Sequence, residues 1–168
     1  MRKRTLYTAG AAVAAAATLT ALVLPASVGG ASTTPTVKVT QFTNTFHAMT
    51  TLKSLAKEGK GKVAAILPDT TSSTRYVEFD QPDLKKAMQK AGLATSDIIV
   101  QNAQGSDTTQ LTDAETDITN GATVLLVDPL DSGVGSKIES YAKSHGVKVI
   151  DYDRLTLGGS RAYYVSFN

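Results

Sequence analysis

Short apolar runs in this 168-residue sequence are followed by polar or aromatic side chains that could bind a ligand. The set combines carboxylates, guanidinium groups and one aromatic ring: Asp69, Arg75, Tyr76, Asp128, Asp131, Asp153 and Arg154. Carboxylates accept hydrogen bonds from vicinal hydroxyl groups, and the forked arginine side chain donates to ring and hydroxyl oxygens. An aromatic face covers the apolar C–H side of a sugar ring. Together these groups are typical of a carbohydrate site.

Each of these residues also has a simpler interpretation. An aspartate that follows a strand, such as Asp69 or Asp131, is commonly a helix cap or a turn residue. Asp153 and Arg154 are neighbours in sequence and could form a surface ion pair, which contributes little to stability. Tyr76 could belong to the core. These alternatives predict different contacts for each side chain.

Five apolar runs predict the strands that place these side chains. The runs are Val63–Leu67, Ile98–Val100, Val124–Val127, Val147–Ile150 and Tyr163–Phe167. Their lack of polar alternation is typical of strands buried on both faces of a parallel sheet. Segments with helical periodicity lie between the runs, at Leu84–Ala91, Asp107–Thr119 and Ser136–His145. The alternation predicts an α/β fold, a Rossmann-like open parallel sheet of about five strands flanked by helices.

Several residues mark where helices begin. Asp107 and Gln110 have the spacing of a capping box, with Asp107 as the N-cap. Pro82 places the start of the preceding helix near Phe79–Gln81, or else kinks that helix. Apolar residues at helical spacing in Phe46–Leu55 predict a short helix before the sheet. In open parallel sheets, ligands bind outside the carboxyl ends of the strands, where the polar side chains lie.

The first 31 residues predict an export signal. Residues 2–4 are basic, residues 6–24 are uncharged, and Pro25 is followed by small residues up to Ala31. This is the layout of a signal peptide with a cleavage zone. An uncleaved membrane anchor also fits, because the uncharged run is nearly long enough to span a bilayer. Residues 32–61 then form a linker that includes the short helix, and residues 62–168 form the folded domain.

The composition disfavours several function classes. The sequence has no cysteine, which excludes disulfides, thiol catalysis and lipidation on cysteine. The net charge is +2 without a basic stripe, so nucleic acid is not an expected partner. His47 and His145 lie far apart without a cluster of ligands, so we expect no metal and no cofactor.

Enzyme signatures are missing as well. The sequence contains neither a phosphate-binding loop nor a G-x-S-x-G elbow, and no nucleophile–base pair is visible. We therefore expect the protein not to be an enzyme. A phospho-receiver domain shares the predicted fold and would use Asp128 as its acceptor, but the first loop lacks an acidic pair and no lysine follows the fifth strand.

From Lys62 onward the chain contains motifs that resemble a known family. They are Val63–Asp69, Ser73–Tyr76, Asn102–Gln110, Asn120–Val127, Val149–Leu155 and Tyr163–Asn168. This region resembles periplasmic sugar-binding proteins of the ribose and xylose type, most closely the D-xylose-binding branch. The Tyr-Asp-Arg run ending at Arg154 is the most specific element. The resemblance implies the N-terminal lobe of a type I periplasmic-binding fold.

The resemblance also implies roles and partners. Arg75 would contact the sugar, Tyr76 would stack on it, and Asp153 with Arg154 would grip its hydroxyl groups. Asp128 would line the pocket. The ligand would be a xylose-like pentose, and the other partners an ABC permease with its ATPase, with the membrane involved only through the signal or anchor segment.

The resemblance covers one of the family's two lobes. Closure of two lobes excludes water and supplies much of the affinity. We therefore expect the 168-residue chain to bind sugar weakly or not at all, and to expose an apolar hinge edge. A truncated reading frame, a fragment and a natural single-lobe product all fit. The expected location is periplasmic or at the cell surface, without lipidation. The alternative function is an exported interaction module that contacts a permease or receptor without carrying sugar.

Overall fold

A five-stranded, entirely parallel sheet forms the centre of the protein in a computed structural model that describes residues 35–167. The strands are β1 (Lys62–Leu67), β2 (Ile98–Asn102), β3 (Ala122–Val127), β4 (Lys148–Tyr152) and β5 (Tyr163–Val165). Their order across the sheet is β2-β1-β3-β4-β5. This confirms the α/β sheet and all five of the predicted strands.

Helices cover both faces of the sheet because alternate residues of each buried strand point to opposite sides. The helices are α1 (Lys53–Glu58), α2 (Gln81–Lys90), α3 (Asp107–Thr119) and α4 (Ser132–Ser144). Ala64 and Ile66 of β1 pack in the cluster that includes α3 and α4 residues. Ala65 and Leu67 pack on the other face with Leu84 and other residues of α2.

The crossover through α2 and those through α3 and α4 therefore lie on opposite faces. The strand order reverses at β1, which has β2 on one side and β3 on the other. Loops that follow β1 and β3 diverge at this point and leave a crevice at the carboxyl edge. The register places Ile66 of β1 beside Val127 of β3, and Val127 beside Asp151 of β4. The loops after these three strands consequently start at the same edge.

Two helix starts differ from the predictions. The N-cap of α3 is Ser106, whose Oγ accepts a hydrogen bond from the Thr109 backbone nitrogen at 3.2 Å, and Asp107 is already helical. Helix α4 begins at Ser132 rather than Ser136, because Asp131 caps it. Helix α2 begins at Gln81 as predicted, with Pro82 in its first turn, after a π-helical turn at Tyr76–Asp80.

Short helical turns precede the sheet. They lie at Val39–Gln41 and His47–Leu52, and the second continues into α1, so the predicted helix at Phe46–Leu55 corresponds to a helical stretch. The predicted export signal at residues 1–31 lies outside the described residues. Between residues 35 and 167, no helix combines the length and apolar character that crossing a membrane requires.

Strand β5 forms one edge of the sheet and is largely exposed. Tyr163, Tyr164 and Val165 pair with β4 on one side, yet all three side chains are exposed. Phe167, just beyond the strand, is exposed as well. The described residues thus present an apolar strip at this edge, and its role as a hinge edge stays a prediction.

Candidate functional site

The structure brings all five sequence-predicted site residues together at the carboxyl edge of the sheet. Arg75 and Tyr76 come from the loop after β1, Asp128 from the loop after β3, and Asp153 with Arg154 from the loop after β4. We call these five residues the strand-end cluster. They converge because the loops start side by side and lean into the crevice beside β1.

Arg75 is the centre of the strand-end cluster. Its Nη2 atom donates a hydrogen bond to Asp153 Oδ2 at 2.5 Å and lies 3.7 Å from Asp128 Oδ2. Its Nε atom forms an ion pair with Asp80 Oδ2 at 3.0 Å. Burial alone would lower the pKa of Arg75, but Asp153 and Asp80 outweigh this effect and raise it. The guanidinium therefore remains charged in the site.

Two aromatic rings enclose the Arg75 guanidinium. Its central carbon lies 4.8 Å from the centroid of Tyr76 and 4.7 Å from that of Phe167, within the range of cation–π attraction. Phe167 in turn meets the ring of Tyr152 edge-on, at 6.1 Å between centroids. Among residues 35–167, Nη1 of Arg75 has no hydrogen bond or ion pair, so this amino group is free to donate to a ligand.

Arg154 closes the other side of the cluster. Its Nε lies 3.5 Å from Asp128 Oδ1, and its Nη2 donates a hydrogen bond to the Tyr76 hydroxyl at 3.0 Å. Its Nη1 donates to the Pro129 carbonyl at 3.3 Å. The simple Asp153–Arg154 surface ion pair is therefore not what forms, since each side chain has partners from other loops.

Asp128 is the buried acid of the cluster. Its side chain is fully buried, and its ion pairs with Arg75 and Arg154 are long, at 3.7 and 3.5 Å. Burial raises the pKa of Asp128 to about 7, although Arg154 and Arg75 oppose the shift. The carboxyl group can therefore hold a proton near neutral pH, which reduces the negative charge between the two arginines.

Asp153 has an unusual backbone conformation that strand β5 stabilises. Its φ of 65° lies in the left-handed region, which aspartate adopts more readily than most residues. Its backbone nitrogen donates to Val165 O at 2.8 Å. Its carbonyl accepts hydrogen bonds from the Tyr164 hydroxyl at 3.0 Å and the Ser166 hydroxyl at 3.1 Å. These bonds turn the Asp153 carboxylate towards Arg75.

Gln110 of α3 fixes the loop that carries Asp128. The side chain is fully buried, its Nε2 donates to Asp128 O at 2.8 Å, and its Oε1 accepts from Leu130 N at 3.0 Å. One side-chain amide thus forms hydrogen bonds with backbone groups at both ends of the turn from Asp128 to Leu130. The sequence indicated Gln110 only as a capping-box residue, so this role was missed.

The simpler interpretations hold for two of the loop aspartates. Asp131 Oδ1 accepts from the backbone nitrogens of Gly133 and Val134, as a helix cap does. Asp69 accepts from Thr71 and Ser72 and so closes a turn. Tyr76 combines both of its interpretations, because its ring is only 3% exposed while its hydroxyl reaches Arg154.

Three further residues of the site escaped the sequence analysis. Asp80 pairs with Arg75, Tyr152 lies beside Asp80, and Phe167 covers one face of Arg75. Tyr152 and Phe167 lay within the quoted motifs but carried no predicted role. Within the part of the chain that the structure describes, no group of three His, Cys, Asp or Glu side chains could hold a metal ion.

Residues 63–168 match the profile of a known family, the Periplasmic binding protein domain. The chain belongs to this family. It is 31% identical over 121 residues to the D-xylose-binding periplasmic protein of Haemophilus influenzae, an alignment that covers 72% of this chain and 35% of that protein. It is 33% identical over 110 residues to the multiple sugar-binding periplasmic receptor ChvE of Rhizobium radiobacter, covering 65% and 30% respectively.

A solved structure supports the same family on the level of the fold. The chain is similar to an ABC transporter solute binding protein from Clostridium phytofermentans with bound β-D-glucose, with a TM-score of 0.56 and 26% identity. The match covers 64% of this chain and 32% of that one. The chain thus spans about a third of the length of these relatives, and its described sheet matches a single lobe of their fold. By their names, these relatives are sugar-binding or solute-binding proteins rather than enzymes, in line with the sequence-based expectation.

Proposed function

We propose that this chain provides one side of the sugar-binding site of an exported solute-binding protein that delivers a xylose-like pentose to an ABC transporter. The observation that carries this proposal is the convergence of Arg75, Asp153 and Arg154 beside a buried acid at the carboxyl edge of the sheet. The sugar-binding names of the relatives support the substrate class.

The cluster offers both kinds of hydrogen-bonding group that a sugar needs. Arg75 is 30% exposed and Asp153 21% exposed, so a guanidinium donor and a carboxylate acceptor face the solvent side by side. Vicinal hydroxyl groups donate to the carboxylate and accept from the guanidinium in the same plane. Arg154, 35% exposed, adds a second donor on the same side.

For the apolar face of the sugar, we propose Phe167 in addition to Tyr76. The Tyr76 ring is buried beneath Arg75 and Arg154, which leaves little of its face for a ligand. Phe167 is 58% exposed and lies against Arg75. Tyr76 would then orient the two arginines, while Phe167 covers C–H groups of the sugar.

We further propose that residues 1–31 direct export and that the mature protein works in the periplasm or at the cell surface without a lipid anchor. The partners would be an ABC permease and its ATPase, as in the transport systems of the relatives. A ligand on this cluster is enclosed from one side by the described residues. We therefore expect weak affinity for the 168-residue chain alone, with a Kd above about 1 mM.

A second candidate is an interaction module that contacts a permease or receptor without carrying sugar. The exposed apolar strip along β5 favours it, because Tyr163, Val165 and Phe167 are large exposed side chains at alternate positions of the chain. The two candidates differ in whether a sugar engages the strand-end cluster.

An NMR titration of the full chain with D-xylose, ribose and glucose separates these candidates. The proposal expects D-xylose at tens of millimolar to shift the side-chain signals of Arg75 and Arg154. Arg75→Ala should abolish the response, whereas Asp131→Asn, at the same edge, should preserve it. A folded chain without any sugar response would remove the sugar assignment and favour the interaction module. A Kd far below about 1 mM would contradict the expectation of weak binding.

A further inference from the structure

Asp80 holds the part of Arg75 that lies away from the opening of the cluster. The Arg75 Nε to Asp80 Oδ2 distance is 3.0 Å, whereas Asp153 takes the terminal Nη2 atom. The Asp80 side chain is 8% exposed, against 21% for Asp153. The two carboxylates therefore occupy different edges of one guanidinium, an inner one and an outer one.

Asp80 itself is fixed by its neighbours. It lies in the π-helical turn that begins directly after Arg75, so the backbone keeps the two side chains close. Tyr152 of β4 lies beside the Asp80 carboxylate, and both side chains line the same groove. Burial raises the pKa of Asp80, and the charge of Arg75 opposes that shift. The Arg75–Asp80 pair thus lies beside Tyr152, the last residue of β4, which directly precedes Asp153 and Arg154.

The far side of Asp80 faces away from the strand-end cluster. Asp80 and Tyr152 contribute to a separate groove of about 430 Å³ lined also by Phe42, Phe46 and Leu84. None of the five residues of the strand-end cluster lines this groove. A ligand on the open side of Arg75 would therefore contact Arg75 and Asp153 without reaching Asp80.

We infer that Asp80 is a positioning residue of the sugar site, which anchors the Nε edge of Arg75 so that its terminal amino groups remain available for Asp153 and a bound sugar. The part of this inference that concerns sugar binding rests on the proposed function. An arginine side chain that is mobile before binding loses conformational entropy when a ligand orders it, which weakens binding. An arginine that is already held in place does not lose that entropy on binding. Asp80 acts only through Arg75, which distinguishes it from a sugar ligand.

The experiment compares Asp80→Asn with the wild-type full chain. Asparagine keeps the shape of the side chain beside Tyr152 but removes the charge that pairs with Arg75. The first readout is the ¹⁵Nε order parameter of Arg75 without sugar, and the second is the response to D-xylose. Asp80→Glu restores the charge, and Asp83→Asn, three residues further along, is the matched control.

We expect Asp80→Asn to lower the Arg75 order parameter clearly, from a rigid towards a flexible value, and to weaken D-xylose binding at least about tenfold. Asp80→Glu should recover part of both losses, and Asp83→Asn should change neither. If the wild-type chain shows no sugar response, the order parameter still decides the positioning role, while the proposed function fails separately. An Arg75 side chain that stays equally ordered in Asp80→Asn would overturn the inference, whatever happens to sugar binding.

Discussion

Between residues 35 and 167, two groups of acids pair with arginine, and they differ in what surrounds the carboxylates. The strand-end cluster pairs Asp128 and Asp153 with the arginines of other loops. The second group, which we call the clamp cluster, consists of Glu139, Asp151, Thr156 and Arg161. It lies between α4, β4 and the connection from β4 to β5.

In the clamp cluster, the carboxylates face the backbone of that connection. Asp151 Oδ2 accepts from the Thr156 backbone nitrogen at 2.7 Å and lies 3.7 Å from Arg161 Nε. Arg161 Nη1 donates to the Thr156 carbonyl at 2.8 Å. Glu139 faces the backbone nitrogens of Ser160 and Arg161. Both acids are 1% exposed, and the bonds of Asp151 and Arg161 to Thr156 hold the connection between β4 and β5 in place.

In the strand-end cluster, the carboxylates face side chains, and the arginines remain about a third exposed. The same residue types therefore serve two purposes. Where the partners of an acid are backbone groups, the acid fixes a loop. Where the partners are arginines with free donors at an open edge, the acid orients those donors for a ligand. Substitutions can test whether this division holds.

The largest effect is expected from Gly135→Val in α4, which adds a side chain beneath the clamp cluster. A Cβ atom at Gly135 would overlap the Thr156 hydroxyl and come within 3.0 Å of Pro129 Cβ, and both neighbours are buried. Overpacking of this kind costs about 3 kcal/mol of unfolding free energy. Urea unfolding of the full chain measures the loss.

Gly59→Val is the matched control for Gly135→Val. Gly59 has an ordinary backbone conformation, and an added Cβ would meet only the Ala56 carbonyl, at 3.4 Å, with the Leu55 carbonyl at 4.0 Å. Its expected change is within about 0.5 kcal/mol. Equal stabilities for the two valine variants would show that the connection is not packed tightly on α4.

Asp128→Asn tests the buried acid of the strand-end cluster through pH. The ordinary pKa of 3.8 rises to about 7 in the folded protein because of burial. The folded state therefore binds more protons than the unfolded state between these values. The resulting stability is fully present below pH 3.8 and is lost as the pH rises through about 7.

Between pH 5 and 8, we expect the wild-type chain to lose about 2 kcal/mol that Asp128→Asn retains, because asparagine does not ionise. Urea unfolding at several pH values measures both slopes. Asp107→Asn, at an exposed position in the first turn of α3, should keep the wild-type slope. An unchanged slope in Asp128→Asn would mean that Asp128 is ionised throughout this range and pairs more strongly with the arginines than its distances suggest.

Much of the fold and the meeting of the predicted site residues followed from the sequence. Continuous apolar runs define buried parallel strands, and the ends of such strands share one edge. Arg75, Asp128 and Asp153 could therefore be placed together from their positions after β1, β3 and β4. The helix starts were less certain because Ser106 and Asp107 are both good caps, and only the backbone conformation selects Ser106.

The supporting residues could not be found in this way. Asp80 faces Arg75 because the turn between them is π-helical, which no spacing rule indicates. Gln110 lies in a helix, and its contact with the loop after β3 depends on the distance between two elements. Gly133 and Gly135 disfavour a helix start, yet the Asp131 cap and the packing of α4 override that preference.

Glu139→Gln tests the clamp cluster through the pH dependence of stability, as Asp128→Asn tests the strand-end cluster. Burial raises the pKa of Glu139, and the neighbouring Asp151 raises it further. Wild-type stability should therefore fall as the pH rises through this raised pKa. Glutamine keeps the shape without the charge, so at pH 8 the variant should be more stable than the wild-type chain, by less than the effect expected for Asp128→Asn.

Two measurements accompany Glu139→Gln. Urea unfolding at pH 5 and pH 8 gives the difference in slope, and Glu115→Gln in α3 is the control. The sugar response should be unchanged, since Glu139 lies outside the strand-end cluster. A variant that loses the sugar response while remaining folded would show that the clamp cluster acts on Asp153 and Arg154, and the division between the two groups would then be wrong.

The smallest effect is expected from Asp131, an acid at the same edge as the sugar-binding candidates. Its Oδ1 accepts from Gly133 N at 2.6 Å and from Val134 N at 2.9 Å, so its partners are backbone groups. Asp131→Ala should lower the unfolding free energy by about 1 kcal/mol, and Asp131→Asn should restore most of it, because asparagine also caps helices. Neither should change the sugar response. Loss of that response in a folded, capped Asp131→Asn chain would place Asp131 in the sugar site. An acid whose partners are backbone groups could then also bind a ligand, and the difference drawn between the two clusters would not hold.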